Sequence, residues 1–125
     1  EGYSYRLPSK DEWTMMAQCG DRRQFPWGND ETPKFGNYGK MRGYDDGFLG
    51  TCPVEKSGKN DFGLYGIGGN VAELNQKSAT DPSFDSWRGG SWDDTDVQAA
   101  GTRVRNSFSG SKRSNFCGFR IVLVQ

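Results

Sequence analysis

The spacing of hydrophobic residues predicts one helix, in the stretch LPSKDEWTMMAQCG that ends at Gly20. Trp13 and Ala17 are separated by about one helical turn, so a helix would place them on one face. Ser9 and Glu12 make an S-x-x-E capping box, in which each side chain satisfies a free backbone amide of the first turn. Glycine is common just past a helix end, so we expect the helix to stop at Gly20.

Shorter apolar stretches have the character of strands. Val71 and Leu74 suit a short strand, and Ser86–Trp92 has the pattern of another. The chain end, CGFRIVLVQ, contains continuous apolar residues from Ile121 to Val124, as a strand in the centre of a sheet would. Between the helix and the first strand, turn residues are frequent and no period is visible. We therefore expect a long irregular middle that aromatic rings or a metal ion must pin.

The composition of the 125-residue chain agrees with a loop-rich domain. Hydrophobic residues make up only 33% while aromatic residues reach 14%, which favours a fold held by large rings over a helical bundle. The length suits a single domain over residues 1–125, and no apolar run approaches the ~18 residues of a membrane span. The chain does not start with Met, so we expect it to be the C-terminal part of a longer protein.

The charged residues limit the classes of partner and chemistry. Basic and acidic residues balance at 16 each, so neither nucleic acid nor membrane is expected as a partner. Beyond Asp96 only basic charges follow, which indicates a solvated basic edge or, alternatively, an anion-binding face. The chain contains no histidine, which removes Ser-His-Asp and Cys-His catalysis and histidine metal triads. The 3 cysteines cannot all pair with one another and form no CxxC, so we expect reduced thiols and no zinc.

Several phrases follow one another in a characteristic order: YRLPSKDEW, FPWGN, DDGFLGTCPV, FGLYGIGGNVAEL, RGGSW and GFRIV. From Tyr5 to Val122 this series resembles the formylglycine-generating enzyme (sulfatase-modifying factor) family. The resemblance implies an α+β fold of the C-type lectin-like, formylglycine-generating enzyme type, with little regular secondary structure. It also implies that Arg88, Trp92 and Arg120 belong to the framework, with Trp92 in the core. Because a buried arginine needs paired acceptors, we expect carboxylate or carbonyl oxygens around Arg120.

The family holds Ca²⁺ with oxygen ligands from irregular loops, and the resemblance therefore implies a structural calcium ion. The ligands of the first site would be Asn37, Tyr38, Asp46 and Phe48, the second and fourth through their carbonyl groups. Alternatively, Asn37 and Asp46 only cap turns. A weaker second site would comprise Gly69, Val71 and Glu73. It is weakened because Gly66 stands where the family has a side-chain ligand.

Family enzymes bind copper(I) through two cysteines after the GGSW/Y phrase, because this soft metal prefers thiolates. By position these cysteines would fall near Asp94 and Ala99, and no cysteine stands between Cys52 and Cys117. The resemblance therefore implies a scaffold without copper and without formylglycine generation. The acids of the segment WDDTD could form an acid/base pair, but no apolar setting that would raise a carboxylate pKa is evident. We therefore predict that the chain is not an enzyme.

A second group with this scaffold, the variable proteins of diversity-generating retroelements, has the same layout of RGGSW, a variable stretch and GFR. In that group adenine-rich codons such as those of Asn are mutated, and many residues of the segment 92–118 belong to the set that such changes can produce. The predicted ligand-binding residues are Asp93, Asp94, Thr95, Asp96, Val97, Ser107, Phe108, Ser109, Ser111, Ser114, Asn115 and Phe116. Phe108 and Phe116 would act as interface anchors, or else they pack into the core.

We therefore predict a non-catalytic module that binds an unknown protein or glycan through the loops of the segment 92–118. Such a module would be exposed at a cell surface or on a phage particle. The alternative is a catalytically inactive accessory domain of the formylglycine-generating enzyme type, and a copper-dependent oxidase is a third possibility. The sugar-binding motifs of true C-type lectins, EPN and QPD, do not occur.

Overall fold

One helix and two small β-sheets carry the regular structure of residues 2–106 and 114–125, the parts that this computed structural model describes. The elements are β1 (Ser4–Arg6), α1 (Lys10–Gln18), β2 (Ala72–Ser78), β3 (Asp81–Arg88), β4 (Arg105–Asn106), β5 (Cys117–Gly118) and β6 (Val122–Val124). Short 3₁₀ helices cover Val54–Lys56 and Val97–Ala100. Within the described ranges no helix is long and apolar enough to cross a bilayer.

Helix α1 follows the sequence prediction. The Ser9 hydroxyl accepts from the backbone N–H of Glu12 at 3.2 Å, and the Glu12 carboxylate accepts from the N–H of Ser9 at 2.8 Å. Glu12 also pairs with Arg6, and this hydrogen-bonded ion pair lowers the pKa of Glu12 to about 2. The helix ends at Cys19, which takes a left-handed conformation with φ 53°. Trp13 is fully buried on the inner face, as its position predicts.

The sheets differ from the sequence prediction in where their strands stop. Over residues 2–106 and 114–125 the larger sheet has the order β4-β3-β2-β5, in which β2 and β5 are parallel and the other pairs antiparallel. The smaller sheet pairs β1 with β6. The strand predicted over Ser86–Trp92 ends at Arg88, because Gly89 and Gly90 turn the backbone with φ values of 98° and 70°.

The single terminal strand predicted from CGFRIVLVQ is wrong. Its residues divide between β5, which pairs with β2, and β6, which pairs with β1. The apolar run from Ile121 to Val124 is therefore not a central strand, since β6 has a partner on one side and Leu123 is 55% exposed. A run of apolar residues cannot distinguish a buried strand from one at an open edge.

The core consists of two clusters of buried side chains. One packs α1 against the middle of the chain through Trp13, Ala17 and Ile67. The other contains Phe25, Trp27, Tyr38, Met41, Val97 and Ala100. The ring of Trp27 stacks on Phe25 at 5.1 Å and meets the edge of Tyr38 at 6.0 Å. Aromatic rings therefore pin the irregular middle, as the composition indicates.

Amide side chains hold the same middle segment from within. Asn37 donates to the carbonyl of Gly50 at 3.0 Å and to the side chain of Asn70 at 3.1 Å. Asn70 in turn accepts from the N–H of Cys52 and donates to its carbonyl. A Cβ atom at Gly69 would lie 2.1 Å from the Asn37 carbonyl oxygen, so this contact requires glycine. The irregular loops are thus fixed by buried hydrogen bonds in place of regular structure.

The buried carboxylate of Glu73 joins three distant segments of the chain. Glu73 is only 4% exposed and lies in β2. It accepts from the indole N–H of Trp13 at 3.0 Å and from the guanidinium of Arg120, whose Nη2 lies 2.9 Å from Oε2. Arg120 also donates to the carbonyl of Tyr65 at 2.9 Å. The acceptors predicted around Arg120 are therefore present.

Replacing Arg120 by Met should destabilise the fold strongly, because Glu73 would remain buried without its cation. We expect a loss of about 3–5 kcal/mol in the free energy of unfolding, measured by urea denaturation. The control is Arg42→Met, whose partner Glu31 is half exposed and whose loss should cost at most about 1 kcal/mol. Equal effects of the two substitutions would contradict the assignment.

Candidate functional site

A cavity of about 260 Å³ opens at the end of β3, where the predicted binding region begins. Several parts of the chain meet there, among them the turn after β3, the end of the 3₁₀ helix, β4 and the segment at β5. Its lining includes Gly90, Ser91, Asp93, Asp94, Ala99 and Phe116. The fold therefore brings both ends of the segment 92–118 to one cavity.

The double glycine after β3 sets the position of this cavity. The Gly89 carbonyl accepts from the N–H of Gly69 at 3.0 Å, which ties the turn to the irregular middle. A Cβ atom at Gly89 would lie 2.9 Å from the ring of Trp13. Because its φ is also positive, a side chain there would be strained as well as crowded. The turn thus rests directly on the core.

The predicted acidic residues divide into two roles. The Asp94 carboxylate accepts from the backbone N–H of Ser91 at 2.7 Å, and Asp96 accepts from the N–H of Gln98 at 3.0 Å. Both side chains therefore cap local backbone, as short acidic side chains often do in turns. Asp93, Thr95 and Asp96 are all exposed, and only Thr95 lies between the two capping residues. Because Asp96 is engaged as a cap, Asp93 and Thr95 are the exposed residues of this loop that can face a ligand most freely.

Val97 does not belong to the exposed surface, and its prediction as a ligand-binding residue is wrong. It begins the 3₁₀ helix, is only 4% exposed and packs in the cluster that contains Phe25 and Trp27. Its neighbours in the sequence are polar, so nothing local signals burial. The direction of its side chain follows from the cap that Asp96 places on the 3₁₀ helix.

Trp92 is half-buried against Phe116, a residue of the cavity lining, and does not lie in the core as predicted. Its indole N–H donates to the carbonyl of Asn115 at 2.9 Å, and its ring lies 5.3 Å from the ring of Phe116. Phe116 is half-buried against Trp92. It is thus neither a fully exposed interface anchor nor a core residue, the two alternatives that the sequence left open. The N–H of Phe116 donates to the hydroxyl of Ser114, while the Asn115 side chain is exposed. These contacts place the segment 114–116 beside the loop 92–95.

Four further residues of the predicted set lie outside the described residues. They are Ser107, Phe108, Ser109 and Ser111.

A second cleft on the other side of Trp92 was not singled out by the sequence. Its volume is about 270 Å³, and Trp92 and Asp93 line it together with the loop 38–49. Leu49 in this loop is 98% exposed and Phe48 is 38% exposed. Two apolar residues between glycines in a turn-rich segment are the sequence signal that could have indicated an exposed apolar tip.

The structure brings three members of the first predicted calcium set, Tyr38, Asp46 and Phe48, into contact, and Asn37 directly precedes Tyr38. Asn37 is 1% exposed, and its side-chain oxygen is buried without a hydrogen-bond partner among the described residues. Asp46 accepts from the backbone N–H groups of Tyr38 and Phe48, both at 2.8 Å. A buried oxygen without a partner costs free energy that a cation would offset. The oxygen donors of this set therefore fit a hard cation such as Ca²⁺.

The second predicted calcium set does not fit a cation in this arrangement. The Glu73 carboxylate is already neutralised by Arg120 and accepts from Trp13. Arg120 Nη2 lies 3.6 Å from where a Cβ atom at Gly66 would be, so a positive charge already stands beside this position. Gly69 and Val71, the other members of the set, cannot compensate, since they offer only neutral carbonyl oxygens.

Asp94 and Ala99, near which the copper-binding cysteines of the family were predicted to fall, both line the cavity at the end of β3. A Cβ atom at Gly90 would lie 3.2 Å from the Ala99 carbonyl oxygen and 3.4 Å from the Asp94 carboxylate. Neither Asp94 nor Ala99 offers sulfur. Cys117 lines the cavity alone, and burial raises the pKa of the Cys52 thiol, with Asp46 as a further cause. These residues do not fit copper(I), which needs paired thiolates.

Comparisons with known proteins agree with this geometry. Residues 2–124 match the family described as the sulfatase-modifying factor enzyme 1-like domain. The inactive C-alpha-formylglycine-generating enzyme 2 of Bos taurus is 38% identical over 109 residues, covering 80% of this chain and 36% of that protein. The formylglycine-generating enzyme of Thermomonospora curvata is 39% identical over 77 residues, covering 54% and 25%. The solved structure of Treponema denticola variable protein 1 matches with a TM-score of 0.72 and 30% identity, covering 94% and 46%.

The chain therefore belongs to the sulfatase-modifying factor family. The predicted α+β C-type lectin-like fold is confirmed, and so is the resemblance to the variable proteins. The chain spans less than half the length of each of the three relatives. One relative is named an inactive protein and another an enzyme, so membership of the family alone does not decide the activity.

Substitutions at Val97 and Thr95 should separate the framework from the exposed loop. Val97→Ala removes buried methyl groups from the core and should cost roughly 2 kcal/mol of unfolding free energy. Thr95→Ala changes an exposed side chain and should stay within about 0.5 kcal/mol. Urea denaturation of both variants measures the difference. If Thr95→Ala proved as damaging as Val97→Ala, the division of this loop would be incorrect.

Proposed function

We propose that this domain is a non-catalytic binding module whose ligand surface is formed by the loop 92–95 and the segment 114–116. The observation that carries this proposal is the contact of Trp92 with Asn115 and Phe116. It unites two segments that are distant in sequence above a framework of buried hydrogen bonds. Exposed Asp93, Thr95 and Asn115 can then change without disturbing what lies beneath.

The chemistry of this surface suits recognition better than catalysis. The chain has no histidine, and the positions that would carry thiolates hold Asp94 and Ala99. Asp94 is engaged in capping a turn, and Asp93 is exposed to solvent. Neither residue is therefore held as a free carboxylate in an apolar pocket, the setting typical of a general acid or base. The name of the Bos taurus relative, an inactive enzyme, is consistent with this interpretation.

The ligand that the surface supports best is a protein. Trp92 and Phe116 present half-buried rings, with polar Asp93, Thr95 and Asn115 around them. An aromatic centre within an adaptable polar rim is typical of protein interfaces. The exposed apolar loop tip that contains Leu49 extends this surface across the adjacent cleft. A glycan is the other ligand class predicted from the sequence, and rings of this kind could also stack on a sugar.

Sequencing the source locus from a population of cells tests the proposal. We expect a near-copy of the segment encoding 92–118, rich in adenine at the variable codons, beside a reverse transcriptase gene. Among the expressed copies, codons for Asp93, Thr95 and Asn115 should differ while the codon for Val97 stays constant. The segment encoding β2 serves as the internal control and should not vary.

Other results would favour other functions. Absence of both the template and the variation would overturn the diversified module and favour an inactive accessory domain. Variation at Val97 equal to that at Asp93 would contradict the structural division, because the core could not tolerate it. Copper-dependent turnover of a cysteine peptide by the purified chain would overturn both non-catalytic proposals.

We further propose that one structural Ca²⁺ ion binds Asn37, Asp46 and the carbonyl groups of Tyr38 and Phe48. The buried Asn37 oxygen without a partner supports this site. The ion would supply positive charge to the irregular loops and draw the loop 38–49 into one conformation. Since this loop lines the cleft beside Trp92, calcium would stabilise one edge of the ligand surface.

Removal of calcium should therefore lower the melting temperature. We expect EDTA to lower it by at least about 4 °C and added CaCl₂ to restore it, since bound ligand stabilises only the folded state. Asp46→Asn should abolish most of this response. The matched control is Asp45→Asn, an exposed neighbour that should keep it. An EDTA response unchanged by Asp46→Asn, or no response at all, would mean that Asp46 only caps a turn.

A further inference from the structure

An open cleft of about 620 Å³ lies between α1 and the end of β3, separate from the cavity at the end of β3. Arg88, the last residue of β3, lines this cleft. Its neighbours in the sequence, Trp87 and Gly89, line the cavity at the end of β3. Side chains of a strand alternate between the two faces of its sheet, which explains how adjacent residues reach different sites. The cleft is therefore a second feature built on the same framework.

Arg88 is a buried cation that makes no direct ion pair in the described ranges, although Asp85 and Asp11 act on it at longer range. It is only 7% exposed, and its Nη1 donates to the hydroxyl of Thr14 at 2.8 Å. Its Nε is buried and has no hydrogen-bond partner in the parts of the chain that the structure describes. In those same parts no carboxylate lies within ion-pair distance of it. A buried charge in this state is costly unless an anion neutralises it.

Further positive charge surrounds the cleft. Arg22 and Arg103 also line it and are exposed. Of the two acids in its lining, Asp21 is held by Arg23 through three hydrogen bonds of 2.8–2.9 Å. Those bonds lower the pKa of Asp21 to about 2, so it remains charged and committed to Arg23. Asp11 is the remaining carboxylate of the lining, which leaves an excess of positive charge.

Buried hydrogen bonds fix the arrangement of these arginines. Thr102 is 1% exposed, and its hydroxyl donates to the carbonyl of Arg23 at 2.8 Å. The N–H of Thr102 donates to the carbonyl of Gln24, and its hydroxyl accepts from Gln18 of α1. Arg103 follows Thr102 directly, so these bonds hold it beside the segment that contains Arg22. The site is thus built by the core and does not depend on chance surface charges.

We propose that this cleft binds an oxyanion, namely a carboxylate, sulfate or phosphate group. The guanidinium of Arg88 attracts the anion from the wall of the cleft, and Arg22 and Arg103 approach from the rim. A guanidinium suits this task because its planar donors match the oxygen spacing of these groups. The anion supplies the direct counterion that the described residues do not provide. The basic residues that follow Asp96 in the sequence thereby acquire a role through Arg103.

NMR spectroscopy of the arginine Nε–Hε groups tests this site directly. The protein is titrated with sodium phosphate, sodium sulfate and sodium acetate, with NaCl holding the ionic strength constant. We expect at least one of these anions to shift the Arg88 resonance in a saturable manner at millimolar concentration. Arg88→Lys identifies the resonance if this variant folds. Acetate alone would indicate a carboxylate ligand, and phosphate or sulfate alone would indicate a tetrahedral anion.

Substitutions of exposed arginines test the site without changing the buried Arg88, whose replacement could unfold the protein. Arg22→Ala and Arg103→Ala change exposed residues and should each weaken the anion affinity about tenfold, which corresponds to about 1.4 kcal/mol. Arg42→Ala removes an arginine that pairs with Glu31 and lies outside the cleft lining, and it should leave the affinity unchanged. The proposal is overturned if no anion gives a saturable shift, or if Arg42→Ala weakens binding as much as Arg103→Ala.

Discussion

The fold depends above all on keeping the carboxylate of Glu73 satisfied away from water. An ionised carboxylate is costly to bury, so the chain must bring donors to it. Trp13 comes from α1 and Arg120 from the segment before β6, while Glu73 itself lies in β2. Helix, sheet and chain end can therefore assemble only together. With so little regular structure, this one group does much of what long helices and strands do in other folds.

On this base the molecule separates a fixed interior from exposed loops. The amide contacts of Asn37 and Asn70 hold the irregular middle, and Gly69 and Gly89 join it to the end of β3. The loop that starts at Trp92 then leaves the framework at a defined point. The backbone of this loop is capped by its own side chains, Asp94 and Asp96. The exposed residues Asp93 and Thr95 are therefore not needed to hold its conformation. Such a division allows a binding surface to change while the free energy of unfolding is retained.

The end of β3 contributes residues to two sites, the cavity under the proposed ligand surface and the cleft beside α1. Its glycines open the cavity beneath the proposed ligand surface, while Arg88 reaches the cleft beside α1. Asp94 and Ala99, the predicted counterparts of the copper-binding cysteines, line this cavity, and Asp94 caps the turn there. A cavity whose walls are fixed in this way would suit the recognition proposed above. Binding at either place would then be carried by the same buried framework.

The sequence by itself determined the helix, whose capping box is local, and the family, whose phrases keep their order along the chain. It also indicated that Arg120 would find acceptors, since a buried guanidinium requires them. Only the tertiary structure decided that Val97 is buried, that Trp92 lies outside the core against Phe116, and that β5 and β6 belong to different sheets. Each of these depends on partners that are remote in sequence, such as Phe25 for Val97 and Asn115 for Trp92. Local patterns record the periodicity of a segment, but the surface that it meets is set by packing.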